Sequence, residues 1–137
     1  YQAEGAAPLV KGEPIEKPET IASAIRIGNP ASWESAIAAR NESGGLIDSV
    51  TDDEILSAYE MLASQEGIFC EPASAVAIAG FREEMEKGKI PDDSVVVCTL
   101  TGHGLKDPDI AIKQSPEPTT LPKGGDGLRD LILSSID

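Results

Sequence analysis

The turn Thr101-Gly102-His103-Gly104 has residue types that suit a ligand site. Its glycines allow positive φ angles and close approach of the backbone to a ligand, and the Thr101 hydroxyl can donate or accept a hydrogen bond. His103 could act as a general base, although a single histidine in a turn is more often a packed or exposed side chain. The turn matches neither the P-loop nor the dinucleotide-binding pattern, so a purely structural role stays open.

Two further junctions between a predicted strand and a helix could contact a ligand. Gly28-Asn29-Pro30-Ala31-Ser32 precedes a helix, whose N-terminus favours anions, but a simple cap by Asn29 with Pro30 in the first turn explains the same residues. In Glu71-Pro72-Ala73-Ser74-Ala75, small residues permit tight packing against a sheet or a flat cofactor. A carboxylate such as Glu71 is favourable at a helix N-terminus without any function, so both alternatives stay open here too.

The elements that position these turns alternate between strands and helices. Apolar runs predict strands at 21–27, 45–50, 68–70 and 94–100, and the last, with three consecutive valines, is the strongest because it suits burial on both faces. Helices are predicted at about 31–41, behind a capping box at 51–54, from Pro72 onward, after Pro108, and at 128–136. This order predicts an α/β fold with an open, mostly parallel sheet and flanking helices, which binds ligands beyond the carboxyl ends of its strands.

The composition narrows the range of partners. The 137 residues include 24 acidic and 11 basic side chains, a formal net charge of −13, and such a surface repels nucleic acid and anionic membranes. The acidic run 82–87 is interpreted as a solvated helix face. Cys70 and Cys98 lie in apolar runs and are predicted to be buried thiols of a cytoplasmic protein. With His103 as the single histidine, no metal site is expected.

Three motifs, taken in order, resemble a known family. Residues 25–33 (IRIGNPASW), 66–75 (EGIFCEPASA) and 100–108 (LTGHGLKDP), together with the opening 2–8, are similar to the C-terminal portion of the threonine synthases. The resemblance implies part of the large domain of a fold type II pyridoxal-phosphate (PLP) enzyme. It covers about residues 1–113, and we expect 114–137 to form a linker and a C-terminal helix. The start at Tyr1 rather than Met also suggests a piece of a longer protein.

The resemblance implies PLP as cofactor and O-phospho-L-homoserine as substrate, converted with water to L-threonine and phosphate. Thr101 would hydrogen-bond the pyridine nitrogen, with Gly28, Asn29 and Glu71 near the cofactor. The Schiff-base lysine and the phosphate-gripping loop belong upstream of Tyr1 in this family, and none of the seven lysines matches that motif. We therefore expect no catalytic residue in this chain and no activity from it alone. The expected partners are the remaining N-terminal part of the enzyme and further copies in a homo-oligomer.

Two other interpretations stay open. Another fold type II PLP enzyme, such as a threonine dehydratase or a cysteate synthase, would share this region, because substrate-phosphate contacts lie largely outside it. A non-catalytic α/β module that binds a partner or a small anion would need no lysine.

Overall fold

The computed structural model describes residues 1–121, 123–125 and 127–134. Strands β1 and β2 pair in parallel, with Gln2 opposite Ser49 and Ala3 opposite Val50. This parallel pairing with flanking helices confirms the predicted α/β fold class. The elements are β1 (Gln2–Ala3), α1 (Pro8–Lys11), a 3-10 helix (Ser23–Ile25), α2 (Trp33–Ser43), β2 (Ser49–Val50), α3 (Asp52–Glu66), α4 (Pro72–Glu86), a second 3-10 helix (Gly104–Lys106), α5 (Pro108–Gln114) and α6 (Leu128–Ser134).

The core lies where α3 packs against α4. Both helices place an apolar stripe in this contact, and β1 and β2 add Ala3 and Val50 to it. Small residues on α4 let its neighbours approach closely, since a Cβ atom at Gly80 would lie 2.3 Å from the Tyr1 ring. The buried side chains of the two helices are Ile55, Ala58, Tyr59 and Leu62 on α3 and Ala75, Val76 and Ala79 on α4.

The predicted capping box starts α3. The Thr51 hydroxyl accepts the Glu54 N–H at 3.2 Å, and the Glu54 carboxylate accepts the Thr51 N–H at 2.7 Å. The neighbouring acid Asp52 holds the N-terminal loop, because its carboxylate accepts the Thr20 hydroxyl at 2.5 Å and the Ile21 N–H at 3.0 Å. Capping and loop attachment thus account for these acidic residues, which end the loop and begin the helix.

The strongest strand prediction, residues 94–100, is wrong for this chain. The segment has no regular secondary structure, and Val95 and Val97 are 94% and 86% exposed. Leu100, at its end, packs partly against the core. A strand needs neighbours that pair its backbone N–H and C=O groups, and within the described residues β1 and β2 pair with each other instead. The valine run indicates a buried environment that the described part of the chain does not supply.

The weaker strand predictions are also largely wrong. Residues 21–27 contain the 3-10 helix Ser23–Ile25. From 45–50, the residues that form a strand are Ser49–Val50, and from 68–70 Cys70 forms an isolated antiparallel bridge with His103. Short apolar runs mark burial or proximity to a core, and their periodicity does not establish a strand.

The helix predictions fared better, with shifts at the ends. α2 begins at Trp33 rather than 31, and Ser32 is its N-cap, so the predicted cap by Asn29 is wrong. α4 begins at Pro72, and a helix follows Asp107, both as predicted. α6 begins at Leu128 as predicted, while its predicted end at Ile136 lies outside the described residues. The proposed division of the chain at residue 113 stays a prediction.

The acidic end of α4 is less solvated than its sequence indicates. Glu84 is 7% exposed, and its carboxylate lies 3.3 Å from the Lys87 Nζ and 2.9 Å from the Lys89 Nζ. The interpretation of this run as a solvated face is therefore wrong for Glu84, because its charge is buried and paired. Among the helices described, none combines the length and apolarity that a membrane crossing requires.

Candidate functional site

Two of the three sequence motifs meet at the N-terminus of α4. The Glu71 N–H donates to Gly102 O at 3.0 Å, and the Gly104 N–H donates to Phe69 O at 3.1 Å. These two bonds clamp the turn 101–104 against the residues that lead into the helix. We call the side chains gathered here the turn cluster, which consists of Glu71, Ser74, Thr101, Gly102 and Lys106.

An ion pair between a buried carboxylate and an exposed lysine supports the turn. Glu71 is 3% exposed, and its Oε1 accepts a hydrogen bond from the Lys106 Nζ at 2.8 Å. Gly102 covers this pair so closely that a Cβ atom there would lie 1.9 Å from Oε1 and 3.0 Å from Nζ. A side chain at position 102 would push the pair apart, and the buried Glu71 carboxylate would lose its ionic partner. Glu71 thus holds the turn in place through its contacts with Gly102 and Lys106.

Ser74 connects α4 to the same turn. It is 2% exposed, and its Oγ accepts the Gly102 N–H at 2.8 Å. The same Oγ lies 3.3 Å from Thr101 Oγ1 and 3.3 Å from Gly102 O. Thr101 itself is an exposed residue, and its hydroxyl lies next to the buried Ser74. The turn therefore combines a solvent-accessible residue with a hydroxyl that is held by α4.

His103 makes the contacts of a packed side chain. Its ring meets the Phe69 ring edge-on, with centroids 5.3 Å apart and an interplanar angle of 78°. Its Nδ1 accepts the Leu105 N–H at 3.2 Å and caps the second 3-10 helix. The Phe69 ring also packs over Gly104, where a Cβ atom would lie 2.2 Å from it. These contacts favour the structural interpretation of His103 over the general base.

The remaining motif, at Gly28 and Asn29, contacts a different part of the chain. Gly28 O accepts the Ile15 N–H at 2.9 Å, and a Cβ atom at Gly28 would lie 1.9 Å from Ile15 O. Asn29 is exposed. The link from this region to the turn cluster runs through the Ser23 hydroxyl, which donates to Asp107 at 2.6 Å, directly after Lys106. The roles of Gly28 and Asn29 toward a cofactor stay predictions.

Both cysteines are free thiols. Cys70 is buried as predicted, whereas the prediction of burial is wrong for Cys98, which is half-buried with its Sγ 3.9 Å from Ala77 O. Burial raises the pKa of both thiols, because it penalises the thiolate. This shift disfavours the thiolate, the form that acts as a nucleophile or metal ligand.

One acidic group has the spacing of a cation site. Carboxylate oxygens of Asp48, Glu83 and Glu84 lie within 4.8 Å of one another. Lys87 contacts Glu83 at 2.7 Å and Lys89 contacts Glu84 at 2.9 Å, so two ammonium groups offset the charge of two of the three carboxylates. We assign no metal to it.

Residues 1–102 match the family described as pyridoxal-phosphate dependent enzyme. The chain is similar to a threonine synthase of Halalkalibacterium halodurans, with 52% identity over 137 residues that cover 99% of this chain and 39% of that protein. It is similar to a threonine synthase of Mycobacterium leprae, with 55% identity over 88% of this chain and 34% of that protein. A threonine synthase of Methanocaldococcus jannaschii is 51% identical over 88% of this chain and 32% of its own length.

This chain therefore spans between about a third and two fifths of the length of these curated relatives. The match to the family model includes Glu71, Ser74, Thr101 and Gly102 and ends within the turn 101–104. The resemblance expected from three short motifs thus extends over nearly the whole chain.

Sequence reasoning missed two members of the turn cluster. Ser74 was interpreted as one of several small packing residues, and Lys106 as part of a motif without a stated role. A hydroxyl in the first turn of a helix that follows a proline was the available signal for Ser74, since such side chains bond nearby backbone. For Lys106, neither spacing nor pattern indicated a buried carboxylate 35 positions away.

Proposed function

Because this chain belongs to the family of pyridoxal-phosphate dependent enzymes, we propose that it is the C-terminal part of a threonine synthase. The proposed reaction converts O-phospho-L-homoserine and water to L-threonine and phosphate. The identity of 51–55% to three proteins of that name, from two bacteria and a methanogen, supports this substrate class over those of a dehydratase or a cysteate synthase.

The observation that carries the proposal is an exposed residue with a hydroxyl group, Thr101, on a turn that Glu71 and Ser74 hold in place. A hydroxyl is neutral and can hydrogen-bond a pyridine nitrogen, and Gly102, which has no side chain, lets the turn lie directly on the Glu71 carboxylate. The donor set therefore fits PLP, which when bound supplies the electron sink for the reaction. Thr101 binds and orients the ring in this proposal, and tunes it less strongly than a carboxylate would.

Glu71, Gly28 and Asn29 have supporting roles in this proposal. Glu71 holds the Thr101 turn in place through the Lys106 ion pair at 2.8 Å. Gly28 and Asn29 border the cofactor cleft, and the exposure of Asn29 leaves its amide accessible for that contact.

We further propose that the Schiff-base lysine comes from the remaining N-terminal part of the enzyme. Lys106 lies in the turn cluster, but its ammonium is occupied by the Glu71 carboxylate. A lysine nucleophile must be able to lose its proton and reach the cofactor, and an ion-paired ammonium is not placed for that. This chain alone is accordingly inactive.

The exposed valine segment also supports a proposed N-terminal part that associates with this chain. Val95 and Val97, with 94% and 86% exposure, sit directly before the turn cluster. Apolar side chains in such a row need a covering partner, which we propose to be the N-terminal part of the same protein. A homo-oligomer in the cytoplasm completes the proposal, consistent with two free cysteines.

A substrate comparison tests the function. The complete protein, supplied with PLP, should release phosphate from O-phospho-L-homoserine and leave L-threonine intact. Thr101→Val should reduce kcat/KM at least tenfold, while Thr101→Ser, which keeps the hydroxyl, should retain most of it. Conversion of threonine to a keto acid, with phosphohomoserine untouched, would identify a dehydratase and overturn the proposal.

Borohydride trapping tests the location of the lysine. The complete protein should form a reduced PLP–lysine adduct upstream of residue 1, and this chain alone should form none. An adduct mapped by mass spectrometry to any of the seven lysines here would refute the proposed division.

A further inference from the structure

Ser74 occupies a position between the helix and the ligand-facing hydroxyl. Its residue is 2% exposed, so its hydroxyl group has no access to bulk water and must find its partners inside the protein. Three polar atoms of the turn lie within reach: Gly102 N at 2.8 Å, Thr101 Oγ1 at 3.3 Å and Gly102 O at 3.3 Å. The hydroxyl thus serves the turn as both acceptor and donor.

The direction of these bonds follows from the donors available. The Gly102 N–H can only donate, so the Ser74 oxygen accepts there and keeps its single proton for another atom. Two acceptors lie 3.3 Å from that proton's oxygen: Gly102 O, which also accepts the Glu71 N–H at 3.0 Å, and Thr101 Oγ1. Among the described residues, the Thr101 oxygen is the one of the two with no other donor.

We propose that Ser74 is a positioning residue whose O–H donates a hydrogen bond to Thr101 Oγ1 and so turns the Thr101 O–H outward. The result is a chain of hydrogen bonds running from the Gly102 N–H through Ser74 to Thr101. Each bond in such a chain strengthens the next, because a hydroxyl that accepts a hydrogen bond becomes a better donor. Thr101 then presents a proton, rather than a lone pair, to the ring nitrogen of PLP.

This inference rests on the proposed cofactor contact of Thr101. It adds which partner donates the hydrogen bond and which accepts it. A ring nitrogen that accepts a hydrogen bond from the Thr101 O–H must carry no proton of its own. The geometry behind it is rigid, since Ser74 sits in the first turn of α4 and its own N–H donates to Glu71 O at 3.0 Å. The position of the Ser74 hydroxyl is therefore fixed by the helix.

A double-mutant cycle in the complete protein tests the proposal, with the dissociation constant of PLP read by spectroscopic titration of the apoprotein. Thr101→Val should weaken PLP binding about tenfold, and Ser74→Ala about fivefold, as expected for loss of one hydrogen bond that supports another. The double variant should bind PLP as Thr101→Val does, because Ser74 acts through Thr101. Ser57→Ala is the matched control, since it removes a hydroxyl that bonds α3 to Arg82 of α4.

The outcomes separate this inference from the proposed function. Multiplicative effects of Ser74→Ala and Thr101→Val, or an effect of Ser74→Ala no greater than that of Ser57→Ala, would overturn the positioning role and leave the cofactor contact standing. If the wild-type protein takes up no PLP, or Thr101→Val binds it normally, the cofactor contact itself fails and this inference with it.

A second measurement covers the case in which Ser74→Ala does not fold. Hydrogen exchange of the Gly102 amide in the wild-type protein should be slow, although the neighbouring Thr101 is exposed, because Ser74 accepts that N–H. Exchange at the rate of an unprotected amide would show that the bond does not persist and would overturn the inference.

Discussion

The α3–α4 pair and the valine segment 94–98 both carry apolar side chains, which are buried in the first and largely exposed in the second. Ile55 on α3 is fully buried at 0% exposure, whereas Val97 is 86% exposed. The helices find each other within the chain and satisfy their own backbone groups. The valine segment needs backbone partners from neighbouring strands, and the described residues provide none for it. Helices therefore fold from local information, whereas a central strand depends on the segments beside it.

The largest effect should come from the core. Ile55→Ala should lower the free energy of unfolding of this chain by about 2–5 kcal/mol, since it deletes a fully buried side chain and leaves a cavity between α3 and α4. Urea denaturation followed by circular dichroism measures the change. A loss under about 1 kcal/mol would mean that the two helices are not the stable part of the molecule.

A smaller loss should follow from crowding the turn cluster. Gly102→Ala should cost about 1–3 kcal/mol, because its Cβ atom would lie 1.9 Å from the Glu71 carboxylate. Gly45→Ala is the matched control, since its Cβ atom would meet only a Ser43 hydroxyl, at 2.9 Å, among the described residues. Equal stability of the two variants in urea would show that the Glu71–Lys106 pair moves aside freely.

Loss of the helix cap should cost about 1 kcal/mol in Thr51→Ala, because the Glu54 N–H and the Glu54 carboxylate both lose a partner. The cost should depend on pH. The backbone N–H and then the hydroxyl of Thr51 lower the pKa of Glu54 in the folded chain. A lowered folded pKa contributes stability that is complete above about pH 5 and disappears as the pH falls through the lowered value.

Urea titrations at a series of pH values between neutrality and strong acid would follow this dependence. The difference between wild type and Thr51→Ala should shrink on acidification. A difference that grows as Glu54 becomes protonated would contradict the capping box.

The smallest effect should be that of Val97→Ala in this chain, within about 0.5 kcal/mol, because an exposed side chain loses no buried area. In the complete protein the same substitution should cost more, since we propose that an N-terminal part covers the segment. Equal and small costs in both would remove the reason to expect a covering partner there.

The sequence predicted the elements whose signals are local. The capping box at Thr51 and Glu54, the proline that starts α4 and the apolar stripe of α3 all depend on spacing within a few residues. The strand predictions were largely wrong because strand formation depends on remote partners. The segment 21–27, for example, contains a 3-10 helix at Ser23–Ile25. The valine pattern indicates an apolar segment but does not identify the segment that would cover it.

The candidate site divides in the same way. Glu71 and Thr101 were selected as junction residues, and the structure brings their two segments together. The ion pair of Glu71 with Lys106 and the bonds of Ser74 could not be predicted, since they join positions 27 to 35 residues apart whose side chains carry no shared pattern. Gly102 illustrates the difficulty: it must be small because the Glu71 carboxylate lies against it, and the two residues become neighbours only in the folded chain.

The bridge between Cys70 and His103 has a consequence for assembly. It holds the turn 101–104 beside the residues that lead into α4, so this side of the proposed cofactor site is ordered before the proposed N-terminal part associates. An ordered surface loses less conformational freedom on association than a flexible one. Association in the proposed complete enzyme would therefore cost less conformational entropy on this side.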